Sequence, residues 1–183
     1  MVRISVKGLT IVAVIGGLLL GPGTEALAAG SNLVTNPQFA DGTTGWNVGP
    51  GDTLAVVPGG HDTLNAGEVS NGEKTAEPCL LSDHPDTVPS AEAGTYSSSI
   101  WVEGPHGAVI FSMKEHNPGH TAVVGEAKAR LILSGIGTWQ RVSLTYTVMT
   151  PGDTLGISVV EGSAPPGECF LADDAFVKFG SSS

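Results

Sequence analysis

The sequence predicts an all-β protein, built as a two-sheet antiparallel β-sandwich. Helical periodicity is almost absent after the first 28 residues. Short runs rich in Val, Ile, Thr, Ser and aromatic residues occur instead, separated by turns that draw on 26 Gly and 12 Pro. Many short strands with closely spaced turn signals are typical of sandwiches and barrels.

Nine runs have the composition of strands, and their number suits two packed sheets. Each run combines β-branched or aromatic residues with polar ones and ends near a Gly, Pro, Asn or Asp. The predicted strands are Leu33 to Asn36, Thr53 to Val57, Gly67 to Ser70, Tyr96 to Glu103, Ala108 to Glu115, Thr121 to Leu133, Trp139 to Val148, Thr154 to Glu161 and Cys169 to Phe179. The stretch from Gly59 to Ala93 is the least regular, and most of it is predicted to form long surface loops.

Four of these strands alternate between apolar and polar residues, so each has a core side and an outer side. Their polar sides carry Trp101, Lys114, Arg130 and Arg141. We expect these sides to line one sheet surface. Three cations on one surface of a chain with a formal net charge of −10 favour a binding site there.

The N-terminus predicts a secretory signal peptide over residues 1–28. Arg3 and Lys7 precede an apolar run from Leu9 to Leu20, and Ala26-Leu27-Ala28 offers a cleavage site. The apolar run is shorter than the roughly 20 residues of a membrane-spanning helix. Residues 29–183 then form a single secreted, extracellular domain, without membrane insertion, which we expect to be a monomer.

The acidic balance argues against nucleic acid and anionic membranes as partners, because like charges repel. Cys79 and Cys169 are the only two cysteines. In an exported chain they favour one intramolecular disulfide, the alternative being two buried free thiols.

Four segments, in order, resemble the CenC-like carbohydrate-binding modules of secreted bacterial proteins. They are NLVTNPQFADGTTGW, AGTYSSSIWVEGP, GTWQRVSLTYTV and CFLADDAFVKF. The sequence looks most like small actinobacterial secreted proteins that consist of this module alone. The resemblance covers almost all of residues 29–183. It implies a galactose-binding-like jelly roll that holds a glycan on one sheet, and a bridge between Cys79 and Cys169.

The resemblance also implies a structural Ca²⁺ site where the first and last strands meet. Asp173 would supply a carboxylate and Gln38 a carbonyl oxygen, since calcium takes six to eight oxygen ligands. Many relatives carry Glu where this chain has Ala40, followed here by Asp41. The alternative is that Asp173 and Asp174 only cap a strand or pair with loop amides.

Sugar recognition needs an apolar platform for the pyranose ring and planar polar groups for its hydroxyls. The prediction is a non-catalytic protein that binds an extracellular poly- or oligosaccharide. Trp101 would be the platform, unless it packs beneath a loop, whereas Trp46 and Trp139 suit core or corner positions. Arg141, Lys114 and Arg130 would contact hydroxyls or the carboxylate of an acidic sugar, and Glu103 and His116 would share the hydroxyls.

Other functions remain open at this point. Asp173 and Asp174 are adjacent on a strand and point to opposite faces, which argues against a glycosidase pair. A structural or protein-binding role in the cell envelope is the main alternative, and a hydrolase or lyase built from scattered residues is a further one. His116, Asn117 and His120, at a hairpin tip, could bind a metal weakly.

Overall fold

Ten β-strands form two antiparallel sheets of five strands each, which confirms the predicted all-β sandwich. The computed structural model describes residues 30–105 and 107–180, so the expected signal peptide lies outside the described residues. The strands are β1 (Trp46–Val48), β2 (Asp52–Pro58), β3 (Asn65–Asn71), β4 (Glu77–Asp83), β5 (Gly94–Glu103), β6 (Ala108–His116), β7 (Val123–Ile132), β8 (Gln140–Val148), β9 (Thr154–Ala164) and β10 (Gly167–Phe179). No helix with the length and hydrophobicity needed to span a bilayer occurs in the described part of the chain.

Sheet A has the strand order β1-β4-β9-β6-β7, and sheet B has the order β2-β3-β10-β5-β8. The chain therefore leaves sheet B after β5, forms the β6–β7 hairpin in sheet A, and returns to sheet B with β8. Large buried side chains from both sheets fill the space between them, among them Tyr96, Ile100, Phe111, Met113 and Phe170. Residues that alternate with these core positions project from the two outer faces.

The Cys79–Cys169 disulfide is present, as predicted. Cys79 lies on β4 of sheet A and Cys169 on β10 of sheet B, and both are fully buried. The bridge therefore fastens one sheet to the other through the core.

Two predictions about strands were wrong. Residues 33–36 form no strand, because the positive φ of Asn36 and Phe39 turns the chain there. The Leu33 N–H donates to the Val177 carbonyl of β10 at 2.8 Å. The first strand is instead β1, which begins at the buried Trp46.

The second error concerns the stretch from Gly59 to Ala93, which contains β4 as well as the whole of β3. Pro78 discourages a strand assignment because proline cannot donate to a ladder. In the structure the β4–β9 register shifts between Glu77 and Cys79, so Pro78 sits at an irregularity where no ladder bond is needed.

Candidate functional site

A groove crosses the outer face of sheet B. It consists of two adjoining recesses of about 470 and 210 Å³ that share Ser99, Arg141 and Phe176. We call it the sheet-B groove. Its lining residues include Asn32, Ser97, Ser99, Trp101, Arg141, Ser143, Thr145, Asp174, Phe176 and Lys178.

The floor of the groove follows from the pairing of β5 with β8. Ser97 lies opposite Thr145 and Ser99 opposite Ser143, so four hydroxyl residues share one surface. The sequence alternates as the structure requires, because Tyr96 and Ile100 on the same strand are fully buried in the core. The predicted outer side of β5 and β8 is therefore confirmed.

Trp101 and Arg141 are cross-strand neighbours at one end of this floor. The Arg141 Nη2 atom donates to the Ser99 hydroxyl at 2.9 Å, and the guanidinium forms no ion pair with any residue in the described ranges. Its other donors are free to meet a ligand, and Arg141 is exposed. A guanidinium with free planar donors suits neighbouring hydroxyls or a carboxylate.

Trp101 is only partly available as a platform. The His61 ring stacks on its indole, with centroids 3.5 Å apart and an interplanar angle of 13°. Trp139 contacts the same histidine edge-on, at 6.3 Å between centroids. One indole face is thus covered by the loop that carries His61, in line with the alternative that Trp101 packs beneath a loop, while the rest of the side chain lines the smaller recess.

The other aromatic ring in the groove is that of Phe176, which sequence reasoning missed together with Lys178. Strict alternation from Asp173 would place Ala175 and Val177 outside. The β5–β10 register shifts between Asp173 and Phe176, and Asp174 has a φ of 50°. This bulge reverses the alternation, so Phe176 and Lys178 reach the groove and Val177 is buried.

Lys114, His116 and Arg130 do not join this site, so the expectation of one shared surface was wrong. Lys114 and His116 lie on β6 and Arg130 lies on β7. Both strands belong to sheet A. The cross-strand neighbour of Arg130 is Ile110 on β6, and that of Ile110 is Val160 on β9, so Arg130 lies in a row of sheet A residues. These residues project from the opposite side of the sandwich and cannot contact the same glycan segment as Arg141.

Glu103 is in sheet B but is not open to a ligand. It is 6% exposed, and its Oε1 atom accepts a hydrogen bond from the Gly137 N–H at 2.6 Å. Its carboxylate holds the loop between β7 and β8. We therefore remove Glu103 from the glycan-contacting set.

The two calcium ligands expected from the family resemblance, Asp173 and Gln38, have different surroundings. Asp173 is fully buried, and its Oδ2 atom accepts bonds from the His61 N–H and the Thr63 hydroxyl. Its Oδ1 atom has no hydrogen-bond partner among the described residues, and burial raises the pKa of this carboxyl. The Gln38 side chain instead donates to Asp174 Oδ1 at 2.8 Å. Asp173 thus offers a free oxygen. The bond made by Gln38 uses its side-chain N–H and does not involve the carbonyl oxygen expected to bind the ion, so calcium at this site stays a prediction.

A different group of potential metal ligands lies in sheet A. Donor atoms of Asp86, His116 and His120 all lie within 4.8 Å of one another. Sequence reasoning placed both histidines at one hairpin tip but did not include Asp86. That residue precedes His116 by 30 positions, in a connection whose course the sequence pattern does not predict.

Comparison with solved structures shows that this fold is shared with carbohydrate-binding modules. TmCBM61, solved with beta-1,4-galactotriose, superposes with a TM-score of 0.61 at 19% identity, over 82% of this chain and 99% of that one. The CBM22-2 xylan-binding domain of Paenibacillus barcinonensis Xyn10C gives 0.59 at 19% identity, over 79% and 98%. A family 16 carbohydrate-binding module gives 0.53 at 15% identity, over 80% and 99%.

The fold also occurs within a larger enzyme chain. An arabinose-bound MgGH51 α-L-arabinofuranosidase superposes with a TM-score of 0.59 at 14% identity, over 85% of this chain but only 27% of its own. No protein-family model and no curated protein matches the sequence. The resemblance inferred from the four sequence segments is therefore confirmed at the level of the jelly-roll fold.

Proposed function

We propose that this chain is a secreted, single-domain, non-catalytic protein that binds an extracellular poly- or oligosaccharide in the sheet-B groove. The observation that carries the proposal is the composition of that groove. A floor of serine and threonine hydroxyls is bordered by two aromatic rings, Trp101 and Phe176, and by two cations, Arg141 and Lys178.

Each part of this lining suits a part of a sugar. Aromatic rings bury the apolar C–H face of a pyranose, and hydroxyl, amide and guanidinium groups pair with its hydroxyls. The groove joins two recesses that are open to solvent, which suits a stretch of chain better than a single enclosed sugar. A shallow polar surface gives weak affinity, since desolvation offsets much of the hydrogen bonding.

The carboxylates near the groove favour binding without hydrolysis. Asp173 is fully buried and Glu103 lines neither recess of the groove, so neither carboxylate is placed to contact a glycosidic bond there. Asp174 lines the smaller recess but shares its Oδ1 atom with Gln38. A glycosidase needs two carboxyl groups that flank the scissile bond, and these three residues do not supply such a pair.

The proposal is tested by screening the purified protein against neutral and uronate-containing glycans, first on an array and then by affinity electrophoresis. We expect retention by at least one polysaccharide, reduced at least tenfold in Phe176→Ala and in Trp101→Ala. Thr53→Ala, on strand β2 at the far edge of sheet B, is the control and should bind normally. Circular dichroism of each variant should match that of the unsubstituted protein.

Failure to bind any polysaccharide would contradict the proposal. Capture of one defined secreted protein through the same groove would favour an interaction module. Release of sugar from a bound glycan would favour an enzyme.

Structural calcium at Asp173 forms a second, separate part of the proposal. Its support is the buried Asp173 Oδ1 atom, which lacks a hydrogen-bond partner in the described ranges. A cation there would neutralise a carboxylate that is otherwise costly to bury. Millimolar CaCl₂ should raise the melting temperature of chelator-treated protein, and Asp173→Asn should abolish the rise. An unchanged melting temperature would exclude the site.

A further inference from the structure

Three metal-binding side chains converge at one end of sheet A, on the opposite side of the sandwich from the groove. Asp86 comes from the connection between β4 and β5, His116 ends β6, and His120 lies in the turn before β7. The Asp86 Oδ2 atom is 3.0 Å from His116 Nδ1 and 3.2 Å from His120 Nε2. The two imidazole rings stack, with centroids 4.6 Å apart.

These distances match the ligand shell of a small divalent ion. A tetrahedral ion held about 2.05 Å from each ligand separates neighbouring donor atoms by about 3.3 Å. The carboxylate oxygen already lies near that separation from each of the two ring nitrogens, and all three donor atoms lie within 4.8 Å of one another.

The surrounding hydrogen bonds hold all three segments in place. Asp83 accepts from the Thr87 N–H at 2.7 Å and from the Ile157 N–H at 2.9 Å, which fixes the loop that presents Asp86. The Asn117 carbonyl accepts from the His120 N–H at 2.8 Å and fixes the turn. The cluster is therefore preorganised rather than assembled by chance contact of long flexible side chains.

The chemistry of the donors selects the ion. Two imidazoles and one carboxylate suit Zn²⁺ and its late first-row neighbours, whereas Ca²⁺ and Mg²⁺ prefer oxygen ligands alone. The His120 side chain is 50% exposed and that of Asp86 is 11% exposed, so an ion can enter from solvent and be held on a partly shielded carboxylate.

We propose that Asp86, His116 and His120 form a binding site for a zinc-class divalent ion. Three protein ligands leave a fourth position, for water or for the Thr154 hydroxyl, which donates to Asp86 and is 3.0 Å from His120 Nε2. A cleft of about 190 Å³, lined by Asp86, His116 and Lys114, adjoins the cluster. The site is separate from the sheet-B groove and differs in its ligands from the calcium site at Asp173.

The test is calorimetric titration of the chelator-stripped, full-length protein with ZnCl₂ at pH 7.4, and separately with CaCl₂. We expect one zinc per chain. Asp86→Asn and His120→Ala should each weaken zinc binding by at least ~100-fold, since even supporting residues of zinc sites contribute about 10- to 100-fold. His84→Gln is the matched control, an exposed histidine two residues before Asp86, and should bind zinc as the unsubstituted protein does.

Cobalt gives an independent readout. Co²⁺ in this site should show visible absorption bands of a four-coordinate ion, and zinc should displace them. Circular dichroism confirms that each variant is folded. Absence of stoichiometric zinc binding, or equal binding by the unsubstituted protein, Asp86→Asn and His120→Ala, would overturn the proposal. In that case Asp86 would serve only as an ion-pair partner of the two histidines.

Discussion

The outer faces of the two sheets carry matched arginines in different surroundings. Arg141 and Arg130 are both exposed, and each lies on an edge strand, β8 of sheet B and β7 of sheet A. The cross-strand neighbour of Arg141 is Trp101, whereas that of Arg130 is Ile110, at the end of a row that continues through Val160 to Leu80. One arginine thus borders aromatic rings and hydroxyls, and the other borders aliphatic side chains.

This difference shows that a binding surface depends on what lies across the ladder from a cation, not on the number of cations along the chain. A guanidinium beside an aromatic ring and a row of hydroxyls can pair with a sugar that rests on the ring. The same group beside aliphatic residues has no such platform. The following predictions test how far the two faces are independent.

Loss of the disulfide should affect both faces together and give the largest change. The bridge closes a loop with a sequence separation of 90 residues and joins β4 to β10. Removing it should lower the free energy of unfolding by about 4 to 5 kcal/mol, because the unfolded chain gains loop entropy. Urea denaturation of the Cys79→Ala, Cys169→Ala double variant measures this change. A loss below about 1 kcal/mol would mean that the sheets hold together without the bridge.

Glu161 on β9 should make sheet A sensitive to pH. It is 6% exposed, its Oε2 atom lacks a hydrogen-bond partner among the described residues, and burial raises the pKa of its carboxyl from 4.5 to about 7. The folded state binds the proton more tightly than the unfolded state, so the stability this group contributes is complete below pH 4.5. It is lost as the pH rises through about 7.

Glu161→Gln removes this charge. Relative to the unsubstituted protein, the variant should therefore gain about 1 to 3 kcal/mol more free energy of unfolding at pH 8 than at pH 5, which is the usual cost of a buried unsatisfied polar group. Burial also raises the pKa of Asp83, to about 6. Asp83 contributes the same pH dependence to the stability of both proteins, so its contribution cancels in the comparison. Urea denaturation of both proteins at the two pH values gives the result. An identical difference at pH 5 and pH 8 would show that Glu161 is ionised at both.

Removal of the His61 ring should affect sheet B alone and give the smallest change in stability. The ring stacks on Trp101 at 3.5 Å, and such pairs contribute about 0.5 to 1.5 kcal/mol beyond the burial of area. His61→Ala should lower stability by about that amount and make Trp101 more accessible to acrylamide quenching. Zinc binding should not change. Making the same comparison in a Trp139→Phe background removes the fluorescence of the other nearby indole. Unchanged quenching would mean that the loop does not cover Trp101 in solution.

The sequence predicted alternation within strands well, because it depends only on local burial. Tyr96 and Ile100 lie in the core and Ser97 and Ser99 line the groove on the outer face, as the pattern of β5 indicates. Sheet membership was predicted badly, because it depends on contacts between distant segments. The β6–β7 hairpin crosses to sheet A, and nothing in the composition of its strands distinguishes it from β5 and β8.

Two further features were not predicted, because they depend on local backbone geometry that leaves no periodic pattern in the sequence. The bulge near Asp174 shifts the alternation by one residue and exchanges Val177 for Phe176 and Lys178 on the outer face. Asp86 lies outside the named strands, and its position is set by the bonds that Asp83 makes with Thr87 and Ile157. Both features depend on backbone geometry that a single sequence does not specify.

Glycan binding on sheet B beside Arg141 is tested by comparing Arg141→Ala with Arg130→Ala. Both substitutions remove one exposed arginine from an edge strand, so they alter net charge equally. On a polysaccharide that retains the unsubstituted protein in affinity electrophoresis, Arg141→Ala should lose at least tenfold in affinity, while Arg130→Ala should be unchanged. Equal losses would mean that net charge alone drives retention, and a loss confined to Arg130→Ala would place the glycan on sheet A and contradict the account.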